Sequence, residues 1–156
     1  MKRTERVGRL AAGFALAATF GLLAMAHAET PRVIKLKGTD TMKFDVTRIT
    51  AKAGELLQVE LTTASSVSKE QMAHNFVLLA KDTQADSFVM AASMARDSGY
   101  IPPSQKQYIL AHTELAGGGE TVKVTFNAPK EPGEYLYICT FPGHYLAGMK
   151  GTLVVK

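Results

Sequence analysis

From Arg32 to Lys156 the chain is cut into short runs rich in β-branched and aromatic residues, and this punctuation limits its fold more than any other feature. The runs are RVIKLK (32–37), LLQVELTT (56–63), HNFVLLA (74–80), TVKVTFNA (121–128), EYLYICT (134–140) and GTLVVK (151–156). Each has the length and composition of a strand. Between them lie GTDT, KAGE, AGGGE and KEPGE, whose glycines, prolines and polar residues favour turns. Strands spaced this way predict an all-β sandwich or closed barrel. In TVKVTFNA, Val122, Val124 and Phe126 alternate with Lys123 and Thr125, the pattern of a half-buried strand. EYLYICT carries large side chains on both faces, which makes it a central strand and puts Cys139 at its end, on the rim of the sandwich.

One segment departs from the strand pattern. KDTQADSFVMAASMARDSG (81–99) has Phe88, Val89, Ala92 and Met94–Ala95 near helical spacing, an aspartate near its start and a glycine at its end. It predicts one short helical insertion, around 82–97, packed on the outside of the sheets, with its methionines as packing residues. GYIPPSQ (99–105) follows and is expected to be extended loop because of its two prolines.

The chain opens with Lys2, Arg3, Arg6 and Arg9, continues with an apolar run of 17 residues from Leu10 to Ala26, and offers Ala26-His27-Ala28 as a small-residue cleavage site. This is the layout of a secretory signal. An uncleaved anchor is the rival, against which stands a run short of the ~20 residues a span requires. Residues 1–28 are therefore expected to be removed, leaving 29–156 as one exported, periplasmic domain with no stable membrane insertion. The leader holds four of the 18 Lys and Arg and one of the 14 Asp and Glu. The remainder stands at about +1, so charge gives no reason to expect nucleic acid as a partner.

The chain has a single cysteine. An exported domain can form disulfides, but this one cannot form an internal one, so its core alone must hold it. Cys139 is then an inert buried thiol, a reactive thiol or a metal ligand. Its neighbours favour the last. CTFPGHYLAGM (139–149) gathers a thiolate, the imidazole of His144 and the thioether of Met149 in one turn between two strands, and His74 opens another apolar run. A thiolate, two imidazoles and a weak axial thioether form the set used by blue-copper electron-transfer sites. Four residues separate Cys139 from His144, with Pro142-Gly143 supplying a stiff bend. His112, in ILAHTEL, has no such company and reads as structural or surface.

The chain resembles the cupredoxins, the type 1 blue copper proteins, and within them the azurin and auracyanin branch. CTFPGH followed by MKGTL carries the likeness, together with HNFVL, AHTEL and TMKF, so it covers nearly all of residues 29–156. It implies a Greek-key β-sandwich or barrel holding one type 1 copper ion. His74 Nδ1, Cys139 Sγ and His144 Nδ1 match the equatorial ligands, and Met149 Sδ the long axial contact. Ala73 stands where azurins have a glycine whose carbonyl approaches copper. YLAG between His144 and Met149 is one residue longer than in azurins and has the spacing of plastocyanin and the auracyanins. Asn75 matches the residue that ties the two ligand loops together and whose backbone N–H reaches the cysteine sulfur; Phe141 matches the second sulfur donor.

The resemblance also implies a job. It is a mobile monomeric carrier of single electrons, not an enzyme, passing them to and from redox proteins such as c-type cytochromes or periplasmic oxidoreductases. The partner would dock on an apolar patch of Met42, Met72, Phe141, Pro142, Gly143, Leu146 and Ala147, where the edge of His144 reaches the surface. The alternative is a protein that binds or handles copper without redox cycling.

Overall fold

The computed structural model describes residues 29–156; the leader expected at 1–28 lies outside the described residues. Nine strands form two sheets. In chain order they are β1 (Arg32–Thr39), β2 (Lys43–Phe44), β3 (Arg48–Ala51), β4 (Leu56–Ala64), β5 (Val77–Leu79), β6 (Ile109–His112), β7 (Thr121–Asn127), β8 (Gly133–Ile138) and β9 (Lys150–Val155). One sheet runs β2-β1-β4-β7 and the other β3-β9-β8-β5-β6. The pairs β1/β4 and β3/β9 are parallel, and the rest antiparallel.

Alternation decides which side chains meet between the sheets. Ile34 and Leu36 of β1 and Leu57, Val59 and Leu61 of β4 face Phe76, Leu78, Tyr135, Tyr137 and Leu153 from the other sheet in one core. As its composition predicted, β8 is central, with β9 on one side and β5 on the other. Its second face, with that of β5, meets a smaller core in which Val77, Leu79 and Ile138 surround Phe88 and Ile101. That satellite core is roofed by the helix α1 (Ala85–Ser93), which buries Phe88 and Ala92. Burying a side chain such as Phe88 contributes about 1.5–3 kcal/mol, which fixes the insertion to the sheet.

Several expectations need correction. The helix is shorter than 82–97, because residues Arg96–Ser98 form a separate 3-10 turn. Its first turn holds Asp86, but the N-cap is Gln84, which makes no capping side-chain bond. The methionines do not pack: Met90 and Met94 are 73% and 87% exposed. Phe88 and Ala92 are four residues apart and share the buried face, and a position two residues beyond either lies on the opposite side. The expected extended loop also contains a 3-10 helix, Pro103–Tyr108. Pro103 occupies its first position, where a ring-fixed φ and a missing N–H cost nothing.

Strands β2, β3 and β6 complete the sheets, and HNFVLLA is a strand only at Val77–Leu79. His74 makes a single bridge with Ala116. At Phe76 the N–H donates to the Thr113 hydroxyl at 3.0 Å, so a side chain takes the place of the next ladder bond. This break frees the segment to turn His74 inward.

Candidate metal centre

His74, Cys139 and His144 come from two loops at one end of the sandwich, yet all three are buried and their ligand atoms lie within 4.8 Å of one another. The His74 and His144 Nδ1 atoms are 3.1 Å apart. Cys139 Sγ lies 4.0 Å from His74 Nδ1 and 3.5 Å from His144 Nδ1. The point equidistant from three atoms so spaced is about 2 Å from each, which suits the ~2.0–2.3 Å bonds of nitrogen and thiolate to a first-row ion. Two nitrogens and a sulfur converging in a dry site fit a thiophilic ion such as copper or zinc.

Met149 is buried beside them and tied to the same loop. Its N–H donates to the His144 carbonyl at 2.9 Å, and its carbonyl accepts from Cys139 N–H at 3.1 Å. His144 N–H donates to the Phe141 carbonyl at 3.1 Å, and Ala147 N–H to that of Gly143 at 2.9 Å. The turn that carries three of the expected ligands is thus closed on itself, and Gly143, with φ of 84°, makes the bend. Ala73, buried, precedes His74.

Asn75 joins the two loops. Its Oδ1 accepts from Thr140 N–H at 2.8 Å, and its Nδ2 donates to the Thr140 hydroxyl at 2.8 Å. Backbone N–H groups of Asn75 and Phe141 face the Cys139 sulfur and favour its thiolate, but burial dominates and pushes the thiol up to about 12. Without a cation Cys139 keeps its proton. Burial first, then the charge of His74, draws His144 down to about 4. His74 is lowered too, again by burial, against the opposing pull of the Asp40 carboxylate. Both imidazoles are therefore held neutral, the form that binds a metal.

Three features had not been anticipated. Gly38, in β1, lies against the site: a Cβ there would stand 2.6 Å from His74 Cδ2 and 2.9 Å from Met149 Cε. A glycine inside the strand run RVIKLKGT was the available signal. Thr140 is the second half of the loop tie and stands next to the cysteine in CTFPGH. Tyr100 packs edge-on against Phe141, which packs on His144, and nothing in its sequence setting but the preceding glycine pointed to it. With φ of 61°, Tyr100 is a strained residue, at a cost of about 1–3 kcal/mol.

Of the expected docking patch, Phe141, Pro142, Gly143 and Leu146 line one groove of about 130 Å³ with Val89, Met90 and Ser93 of α1. Leu146 is 78% exposed, whereas His144, whose ring edge was expected at this surface, is only 2% exposed. Ala147 is half-buried and its carbonyl accepts from Lys43 Nζ. Met42 and Met72 are half-buried, and neither lines that groove. Tyr145 leans into the satellite core, with Lys150 Nζ 5.1 Å over its ring. His112 is an exposed residue of β6, outside the cluster.

Comparison with known proteins agrees with this geometry. Residues 32–156 match the family described as copper binding proteins, plastocyanin/azurin family. The chain is 38% identical over 130 residues to auracyanin-B of Chloroflexus aurantiacus, covering 81% of this chain and 54% of that protein. It thus spans about half the length of that relative. Azurin of Pseudomonas aeruginosa is 39% identical over 129 residues, covering 79% of this chain and 84% of azurin. The solved structure of auracyanin A, a "blue" copper protein of Chloroflexus aurantiacus, superposes with a TM-score of 0.72 at 37% identity, covering 81% of this chain and 100% of that one. A two-sheet sandwich, a buried His-Cys-His triangle and a family match over the whole strand-bearing region lead to one conclusion: this chain is a cupredoxin of the plastocyanin/azurin family.

Proposed function

We propose that this chain is a small exported blue copper protein that carries single electrons between larger redox proteins. His74, Cys139 and His144 would hold one type 1 copper ion, with Met149 Sδ and, more weakly, the Ala73 carbonyl as further contacts. The observation that carries this reading is the triangle of two Nδ1 atoms and one Sγ, buried and sized for a single ion. The ion supplies the chemistry, cycling between Cu(I) and Cu(II).

The chain's own residues supply constancy. Burial of His74, Cys139, His144 and Met149 keeps water from the donors. The self-closed turn and the Asn75–Thr140 tie restrain them, so gain or loss of an electron displaces few atoms. Leu146, Pro142 and Gly143 form an exposed apolar surface around the loop that carries His144. A small apolar contact releases its partner quickly, as a shuttle requires. We assign as partners c-type cytochromes or periplasmic oxidoreductases, met by a monomer at that surface together with Phe141, Ala147, Met42 and Met72. The basic, apolar leader ending at Ala26-His27-Ala28 supports export to the periplasm as one domain, 29–156.

The test is direct. Copper-loaded protein is expected to be intensely blue and to give a reversible one-electron wave, and Met149→Leu is expected to shift its potential. A colourless Cu(II) form overturns the carrier reading. A potential indifferent to Met149→Leu, or Cu(I) that resists oxidation, favours copper handling without redox cycling.

A further inference from the structure

The helical insertion ends in a turn that reaches back to the ligand loop. Gly99 and Tyr100 both take left-handed φ, 62° and 61°. That conformation suits glycine and is unfavourable for a residue bearing a ring, so the surroundings must impose it on Tyr100. Backbone bonds do so: Gly99 N–H donates to Arg96 at 3.0 Å, Tyr100 N–H to Ala95 at 2.9 Å and Ile101 N–H to Ser98 at 3.1 Å. The turn sets the Tyr100 ring edge-on to Phe141, with centroids 5.3 Å apart and planes at 69°. Phe141 in turn lies 4.8 Å from the His144 ring. A third aromatic, Tyr145, is gripped from the same side, packing into the satellite core with Ala85 and Val89 of α1. Phe141 and Tyr145 bracket Pro142-Gly143-His144 in the sequence, so the insertion holds this bend at both ends.

We propose that Tyr100 is a positioning residue for the metal centre: its ring fixes Phe141, and through Phe141 the His144 ring and the N–H that Phe141 turns toward the Cys139 sulfur. The inference rests on the copper-carrier reading and adds to it a device outside the ligand loops. A donor on the thiolate withdraws negative charge and favours the reduced, more electron-rich state; potentials of such sites are tuned by bonds to the sulfur. Freeing Phe141 therefore lowers the potential.

Three variants separate this role from plain packing. Tyr100→Asn and Tyr100→Gly both tolerate the left-handed backbone and remove the ring, while Tyr100→Phe keeps it. In copper-loaded protein, the Asn and Gly variants are expected to show a lower potential, a shifted thiolate absorption band and about tenfold weaker copper binding. In metal-free protein, their Phe141 and His144 amides are expected to exchange faster than in the wild type. Tyr100→Phe restores all four readouts. A fall in melting temperature with potential, band and amide exchange unchanged overturns the proposal. Should Tyr100→Asn fail to fold, Tyr100→Gly, relieved of backbone strain, decides the matter. A wild type without a reversible couple refutes the carrier reading, and the amide-exchange comparison still decides on Tyr100.

Discussion

At Gly38 the metal centre depends on a missing atom. The strand places this residue behind the His74 ring and the Met149 methyl, and an added Cβ would stand 2.6 Å and 2.8 Å from two ring atoms and 2.9 Å from that methyl. One neighbour or both must shift, and each is buried within the site. His74 is buried and held by its bridge to Ala116 at 3.0 Å and 2.8 Å, and Met149 is fixed through its backbone to both Cys139 and His144. Gly38→Ala is therefore expected to push the His74 ring off its place, weakening metal binding about 10–100-fold and destabilising the fold by about 1–3 kcal/mol through overpacking. Competition with a chelator of known affinity measures the first and urea unfolding the second; binding equal to wild type refutes the account. Sequence reasoning reached the four expected ligands because Cys, His and Met have chemistry of their own and cluster along the chain. Gly38 acts by absence, and only the packing around it reveals that.

Among the elements, the ones that alternate strongly were the ones legible beforehand. β4 and β7 announce themselves through period-two patterns bounded by turns, and β8 through large side chains on both faces, whereas β3 and β6 have four residues each and β2 has two. Runs that short are strands only by virtue of their neighbours, such as β9 beside β3. The segment from His74 shows the opposite failure. Its residues read as a continuous strand, but a side chain, Thr113, takes the Phe76 amide, and the ladder begins at Val77. What the element loses in ladder bonds it recovers in the tie between Asn75 and Thr140, both buried. Asn75→Ala leaves the Thr140 N–H and hydroxyl without that partner in a dry site, at a cost of about 1–3 kcal/mol. The same change frees the loop carrying His74 from the loop carrying Cys139. Electron self-exchange of the copper form is accordingly expected to slow, alongside the fall in stability. A variant less stable but with an unchanged exchange rate refutes the view that the tie serves the site.

For the molecule as a whole, two apolar cores hold the sandwich, and the larger one includes Cys139 and Met149 of the metal centre. Among the described residues the five ion pairs, Arg32–Glu55, Arg48–Glu134, Lys69–Glu120, Lys81–Glu131 and Lys123–Glu60, lie at the surface, where such pairs contribute about 0–1 kcal/mol each. The acid sensitivity of the metal-free fold then falls to the buried imidazoles. Burial lowers His144 to about 4 and lowers His74 as well, while an unfolded histidine titrates near 6.5. Between those values the unfolded chain binds protons that the folded chain refuses, so stability is complete above about pH 6.5 and falls as pH drops. For His144 the loss reaches about 3 kcal/mol and levels off below pH 4, where the folded state is protonated too. A bound ion at Nδ1 competes with that proton, and binding to the native state alone adds stability by mass action. Because binding also displaces the Cys139 proton, that added stability shrinks as pH falls, so urea midpoints taken at pH 7, 5.5 and 4.5 are expected to decline for metal-free protein and to start higher but decline more steeply for the copper form. Equal declines in the two forms, or a flat profile without metal, would show that the acid response lies outside the metal centre.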